Sequence, residues 1–385
     1  MIPYGKHNIT SEDIQSVIKV LSSDFLTQGP EISEFEQSFA EYIGCKYAIA
    51  VSNGTAALHL SAMAMNVNKK SRVITTPITF AASANCIRYC GGDVYFADID
   101  PSTFLLDIKN VRKLLENHPI GYFEGIIPVD FSGRAIDMEL FRSLADEYGC
   151  WLIEDACHAP GGYIKDSKGK VQNCGNGIYA DLSVFSFHPV KHITCGEGGM
   201  ITTNNISLYK KLLKLRSHGI TKDSSLMLKN DGGWYYEMQE LGFNYRMTDI
   251  QAALGRSQLK RADIGLKLRK EIAERYNHAF SNNSNILKHS GFIEEHAYHL
   301  YVIEVEKRDE LYEYLKKHNI FSQVHYIPIH LFPYYNSLGF KKGDFPYSEK
   351  YYEKCLSLPM YPELCLDDQQ YIIQVIFNFL VKSNI

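Results

Sequence analysis

Along the first 260 residues, short apolar runs alternate with amphipathic stretches. The runs at 47–51, 72–75, 94–97, 125–129, 151–154, 182–187 and 200–203 have strand length. Between them, over about 81–89, 108–115 and 138–148, apolar positions return every three or four residues, which predicts helices. A further amphipathic helix is predicted over 11–21, with Ile14, Val17, Ile18 and Leu21 on one face and Thr10 or Ser11 as cap. Residues 25–30 read as a turn, with a helix from about 33 to 43 beyond it. Regular strand–helix alternation implies a mainly parallel sheet covered by helices on both faces. Ligands of such sheets sit beyond the carboxyl ends of the strands. A helical run over 249–280 is long enough to bridge two domains, and the pattern then changes. Strands are expected at 299–305 and 322–325 and helices at 309–318 and 367–380, with Pro-rich loops between. The expected fold is α/β, with a large domain over 1–264 and a smaller C-terminal α/β domain over 265–385.

A chain of 385 residues, 45% hydrophobic, can bury a core of that size. Its formal charge of −4 favours neither nucleic acid nor an anionic membrane as partner. Nine cysteines, an odd count with no CxxC pair, point away from a disulfide scaffold or a zinc site and toward reduced thiols. With no apolar leader and no run of 18 apolar residues, the expected location is the cytoplasm.

One lysine then changes the picture. Lys191 lies in a short polar turn between the 182–187 run and the glycine-rich Gly196–Gly199 exit. Most lysines in loops are simply solvated. Burying an ammonium is costly, however, and a desolvated amine becomes a nucleophile able to form a Schiff base. Three other segments end where the sheet would place its ligand. Asn53-Gly-Thr-Ala56 sits between a strand and a helix, where free amides and the helix dipole suit a phosphate. Glu154-Asp-Ala-Cys-His158 follows the 151–154 strand; its carboxylate could bind metal, act as a base or hold a cationic ring nitrogen. Thr76-Pro-Ile-Thr-Phe80 offers a ring to stack on a flat cofactor. Lysine, acid, phosphate cup and stacking ring together are the requirements of pyridoxal 5'-phosphate. A nicotinamide cofactor would want G-x-G-x-x-G after a strand, and a metal would want more ligands near His158; neither is present.

Five motifs in order carry a resemblance: Ser52-Asn-Gly-Thr-Ala-Ala-Leu58, Glu154-Asp-Ala-Cys-His158, Ser186-Phe-His-Pro-Val-Lys191, Gly196-Glu-Gly-Gly199 and Gly242-Phe-Asn-Tyr-Arg-Met-Thr-Asp249. Over nearly its full length the chain resembles the sugar aminotransferases of the DegT/DnrJ/EryC1/StrS family, which are fold type I, aspartate aminotransferase-like enzymes dependent on pyridoxal phosphate. The resemblance implies that Lys191 carries the cofactor as a Schiff base and shuttles the proton. Asp155 would pair with the pyridine nitrogen, His158 would stand near the ring hydroxyl, and Phe80 would stack on the ring. Gly54, Thr55 and Ser186 would hold the phosphate. Asn244 matches an asparagine lent to the partner subunit's phosphate, so a homodimer with shared sites is implied. Core packing is the plainer reading of Phe80, and satisfied buried polarity that of His158 and Ser186.

The opening 2–10 and the segment 23–30 look closest to the branch that aminates C4 of UDP-linked 4-keto-6-deoxy sugars for pseudaminic acid. Tyr4, Thr27 and Gln28 become candidate substrate contacts on that likeness. His325-Tyr-Ile-Pro-Ile-His330 resembles a segment that shapes the sugar pocket, making His325 and His330 candidates; a Pro-stiffened interdomain loop is the alternative. Arg308 is the only arginine after residue 275, so a dedicated C-terminal fork for an amino-acid carboxylate is missing, which suits a nucleotide-sugar acceptor. Glutamate, leaving as 2-oxoglutarate, would donate the amine, its carboxylate met by Arg246 or a lysine. The alternatives are a bacillosamine-type or perosamine 4-aminotransferase and, from a different class, a non-catalytic sugar-nucleotide sensor.

Overall fold

The computed structural model describes residues 1–383. Seven strands form the central sheet, in the order Tyr47–Val51, Gly199–Thr203, Leu182–Ser186, Trp151–Asp155, Gly125–Ile127, Arg72–Thr75 and Asp93–Phe96. Six run parallel, and Gly199–Thr203 alone is antiparallel to both neighbours. The central strands are buried along almost their whole length, as strands covered on both faces must be. Apolar clusters lie on both sides of the sheet, one around Leu58, Ile87 and Ile201, the other around Ile126, Phe141 and Leu152.

A separate apolar core gathers Ile272, Tyr276, Ile303, Leu356 and Ile376, and it takes in Ile2 from the other end of the chain. Ile2 pairs with Ile320, and Met360 N–H donates to the Tyr4 carbonyl, so the first residues are strapped onto C-terminal elements. A three-stranded antiparallel sheet of Lys288–His289, Tyr301–Glu304 and Cys355–Leu358 runs through this core.

Several elements differ from the pattern reading. The helix expected from about residue 33 begins at Pro30, because Pro sits at its first position and Asp249, distant in sequence, accepts from the Gly29 and Glu31 amides at 2.8 and 3.1 Å. The expected helical run over 249–280 is two helices, Asp249–Leu259 and Ala262–Phe280. At the break, Arg261 reaches back to Asn8 and to the buried Asp13. That same lock turns the helix Ser11–Leu21 over: it buries Asp13 and Val20 and leaves Ile14, Ile18 and Leu21 about half exposed. In place of a strand at 322–325 there is one bridge, Gln323 to Ser357.

Candidate active site

The carboxyl ends of the parallel strands open into a cavity of about 690 Å³. Of the residues singled out above, Lys191, Asp155, Gly54, Thr55, Ser186, Phe80, His158, Tyr4 and His325 line it.

One end of the cavity is built from the strand Tyr47–Val51 and the helix Gly54–Ala64 that follows it. Asn53 caps that helix, its side chain accepting from the Ala56 amide at 2.8 Å. The amides of Gly54 and Thr55 belong to the first turn, which has no intrahelical acceptors and carries the positive end of the helix dipole. A Cβ on Gly54 would stand 3.0 Å from the Ser186 Cβ, and one on Gly199 would strike the Asn53 carbonyl at 2.5 Å. Glycine at both places lets three chain segments close into one cup.

The acid end is equally fixed. Asp155 terminates its strand and is 5% exposed. Ser83 donates to one carboxylate oxygen at 2.6 Å and the Cys157 amide to the other at 3.2 Å. Thr79 and Ser83 share a further hydroxyl contact at 2.8 Å. A carboxylate held in this way has its orientation already set. Phe80 is 60% exposed and lines the cavity, so it is not core.

Between these ends lies Lys191. Desolvation lowers its pKa from the ordinary lysine range to about 8, opposed by the charges of Cys157 and Asp155 and assisted by Arg269. A free amine is therefore within reach at neutral pH, as Schiff-base formation requires. Histidines crowd around it. His158 accepts from the Ser132 amide on Nδ1 at 3.2 Å, which places its proton on Nε2, 3.3 Å from the Tyr326 hydroxyl. The His299 ring lies 4.3 Å from His158, tilted at 40°, and brings Nε2 to 3.4 Å from the Lys191 amine. Burial holds the pKa of His158, His192 and His299 well below the usual imidazole range, and that of His325 at about 3. These rings are neutral at physiological pH.

The remaining candidates lie elsewhere. His330, expected in the sugar pocket, is fully buried with Nε2 2.9 Å from Glu349 and its ring against Phe345. A carboxylate partner and complete enclosure make it an internal tie, not a cavity wall. Thr27, Gln28 and Asn244 are exposed outside the cavity, with Arg246 half-buried nearby. Thr27 bridges Thr248, which ties these segments together on one surface. Pattern reasoning missed Ser83, Thr79 and His299, whose roles arise from tertiary placement. It also missed Arg269, buried in the helix Ala262–Phe280 and donating to the carbonyls of Tyr298, His299 and Met360.

The donor set fits pyridoxal phosphate: a depressed lysine, a clamped carboxylate, a helix-start cup and an open aromatic face. The family model of the DegT/DnrJ/EryC1/StrS aminotransferases matches residues 7–377. The chain is 38% identical to the spore coat polysaccharide biosynthesis protein SpsC of Bacillus subtilis, over 97% of this chain and 96% of that protein. It is 37% identical to the UDP-4-amino-4,6-dideoxy-N-acetyl-beta-L-altrosamine transaminase of Campylobacter jejuni, over 99% and 98%. Helicobacter pylori PseC, an aminotransferase involved in the biosynthesis of pseudoaminic acid, superposes with a TM-score of 0.87 at 31% identity, over 99% of each chain. This chain belongs to the DegT/DnrJ/EryC1/StrS aminotransferase family.

Proposed function

We propose that this family aminotransferase moves an amino group from glutamate to C4 of a nucleotide-linked 4-keto-6-deoxy sugar. The UDP-linked N-acetylaltrosamine-type precursor of pseudaminic acid is the favoured acceptor. The observation that carries the reaction type is the placing of Lys191, with its pKa near 8, between the clamped Asp155 and the glycine-lined cup. Pyridoxal phosphate, when bound, supplies an electron sink for the pair left on carbon after proton loss. Gly54, Thr55 and Ser186 would hold its phosphate, and Phe80 would lie against its ring. Asp155, oriented by Ser83 and the Cys157 amide, would pair with the ring nitrogen. Lys191, once free, takes the proton from the donor's α-carbon and later delivers one to C4 of the sugar. The Campylobacter and Helicobacter relatives support the choice of sugar. Tyr4 and His325, whose rings meet at 5.4 Å on the cavity wall, are the proposed sugar contacts.

The proposal extends to a homodimer with shared sites. Thr27, Gln28, Asn244 and Arg246 lie outside their own chain's cavity, where they suit a partner's. The exposed apolar faces of Phe25, Leu26, Met238 and Leu241 on the same segments support burial against a second copy. Mixing two inactive variants, Lys191→Ala and Asn244→Asp, restores activity if sites are shared; no recovery on mixing and refolding removes the proposal. Nine unpaired thiols favour a reducing compartment, the cytoplasm.

Absorption spectroscopy tests the reaction. The band of the lysine-bound cofactor disappears with glutamate and returns with one member of a panel of UDP- and GDP-4-keto-6-deoxy sugars. A band indifferent to glutamate ends the aminotransferase reading. Return with a different sugar, which the comparable similarity to SpsC keeps on the panel, corrects only the acceptor.

A further inference from the structure

His299 is delivered to the cavity by an unusually constrained piece of chain. Tyr298, just before it, has a φ of 50°, in the left-handed region that a bulky side chain rarely adopts. The segment is clamped from two sides. Ala297 and Leu300 donate to the Gly133 and Ser132 carbonyls, and Ser132 Oγ donates back to Leu300. From the other side the buried Arg269 guanidinium holds the carbonyls of Tyr298 and His299. Gly133 is required for this approach, since a Cβ there would sit 2.9 Å from the His299 nitrogen. Strain held in place by so many contacts marks a position that serves the site.

The ring itself is 4% exposed, and its Nδ1 has no hydrogen-bond partner among the described residues. Lys191 is thus the polar partner toward which the ring is aimed, at 3.4 Å. Desolvation, with the positive charges of Lys191 and Arg269 nearby, keeps the imidazole neutral, so Nε2 can offer a lone pair. While Lys191 is joined to the cofactor its nitrogen is committed there. Once released it carries two or three N–H donors and needs an acceptor that is not the substrate.

We propose that His299 is a positioning residue that accepts a hydrogen bond on Nε2 from the released Lys191 amine and holds it over the reacting carbon. This rests on the aminotransferase reading. No bond is made or broken by His299; it fixes where the lysine waits between its two proton transfers. The other groups facing Lys191 are Asp155, Cys157, His158, His192, His325 and Arg269. Asp155 and Cys157 are directed to their own partners, and Arg269 has no acceptor to offer.

The test compares His299→Leu, which keeps bulk and loses the acceptor, with His299→Gln, whose amide oxygen can replace Nε2. In the Leu variant kcat falls about 10- to 100-fold, the loss expected for a hydrogen bond to a charged group, with KM for glutamate little changed. The Gln variant recovers most of it. A second readout needs no turnover: in enzyme loaded with pyridoxamine phosphate, the pH dependence of Lys191 arylation is followed by peptide mapping. Losing an acceptor that favours the ammonium moves the midpoint down in the Leu variant, while the Gln variant keeps it. Should the Leu variant fail to fold, His299→Asn, too short to reach the amine, takes its place. An unchanged kcat and midpoint without the acceptor overturns the proposal, and so does an equal loss in the Gln variant. Failure to take up pyridoxamine phosphate at all would instead count against the aminotransferase reading.

Discussion

A single carboxylate shows how the site is set residue by residue. Asp155 receives a serine hydroxyl on one oxygen and a backbone amide on the other, so its remaining lone pairs are aimed before a cofactor arrives. Asp155→Asn keeps the shape and replaces the carboxylate proposed to face the ring nitrogen with a neutral amide. A loss of about 4 kcal/mol in transition-state stabilisation, near a thousandfold in kcat, is expected from steady-state rates, with fold and cofactor content retained. Lys191 and Asp155 were legible in sequence because each follows an apolar run that can only be an interior strand. Phe80, just beyond the 72–75 run, was legible for the same reason, whereas Ser186 lies within its run and was singled out by the family resemblance. Ser83 and Thr79 were not: small hydroxyls near a helix start are ordinary caps until the fold sets a carboxylate beside them. His299 lay within a run read as strand, where nothing local shows that its ring faces a lysine more than a hundred residues away.

Among the elements, agreement between pattern and structure depends on who makes the caps. The helices Ser11–Leu21 and Met138–Tyr148 carry their own, Thr10 and Asp137, and their limits match the periodicity. The helix Pro30–Ile43 borrows Asp249 across the fold, so its first turn read as loop. Asp249→Ala leaves the Gly29 and Glu31 amides without that acceptor and should cost about 1–2 kcal/mol, read as a lower urea midpoint. The reversed face of Ser11–Leu21 has the same kind of origin. Periodicity ranks faces by apolar content, whereas Arg261 and Gln258, themselves held by Asn8, recruit the buried Asp13. The seven-strand sheet itself was visible because parallel strands are apolar on both faces, but the reversed direction of Gly199–Thr203 leaves no mark in composition.

For the molecule as a whole, buried neutral histidines set the response to acid. His158, His192, His296, His299 and His325 all have lowered pKa values, His296 and His325 at about 3, through burial first of all. The unfolded chain protonates these rings near pH 6.5 and the folded chain does not. Their contribution is present above about 6.5 and is lost as pH falls from there toward 3, at about 1.4 kcal/mol per ring per pH unit. Asp130 works in the opposite direction. Burial and the neighbouring Glu154 raise its pKa, so the folded state keeps a proton that the unfolded chain gives up, and stability from this source falls as pH rises. One such carboxyl offsets about one histidine, so the histidines prevail. Thermal unfolding of the holoenzyme should show Tm dropping steadily from pH 7 to 5, with protons taken up on unfolding; a flat profile would mean that the rings are solvated.

The antiparallel strand has a consequence in time. Tyr47–Val51, among the first strands to leave the ribosome, has its partner in the sheet only at Gly199–Thr203. Until that later segment emerges, the early strand has no backbone to pair with, and the loop that becomes the phosphate cup has no far wall. Strands from Arg72 to Ser186 can associate with one another as they appear, through parallel crossovers of moderate length. The edge carrying Asn53 and Gly54 must wait and then close over a long intervening chain, a slow step because the loop entropy is lost before the contacts form. The cofactor cup is therefore among the last parts of the large sheet to assemble, and the newborn chain becomes able to hold its cofactor only after most of its core is in place.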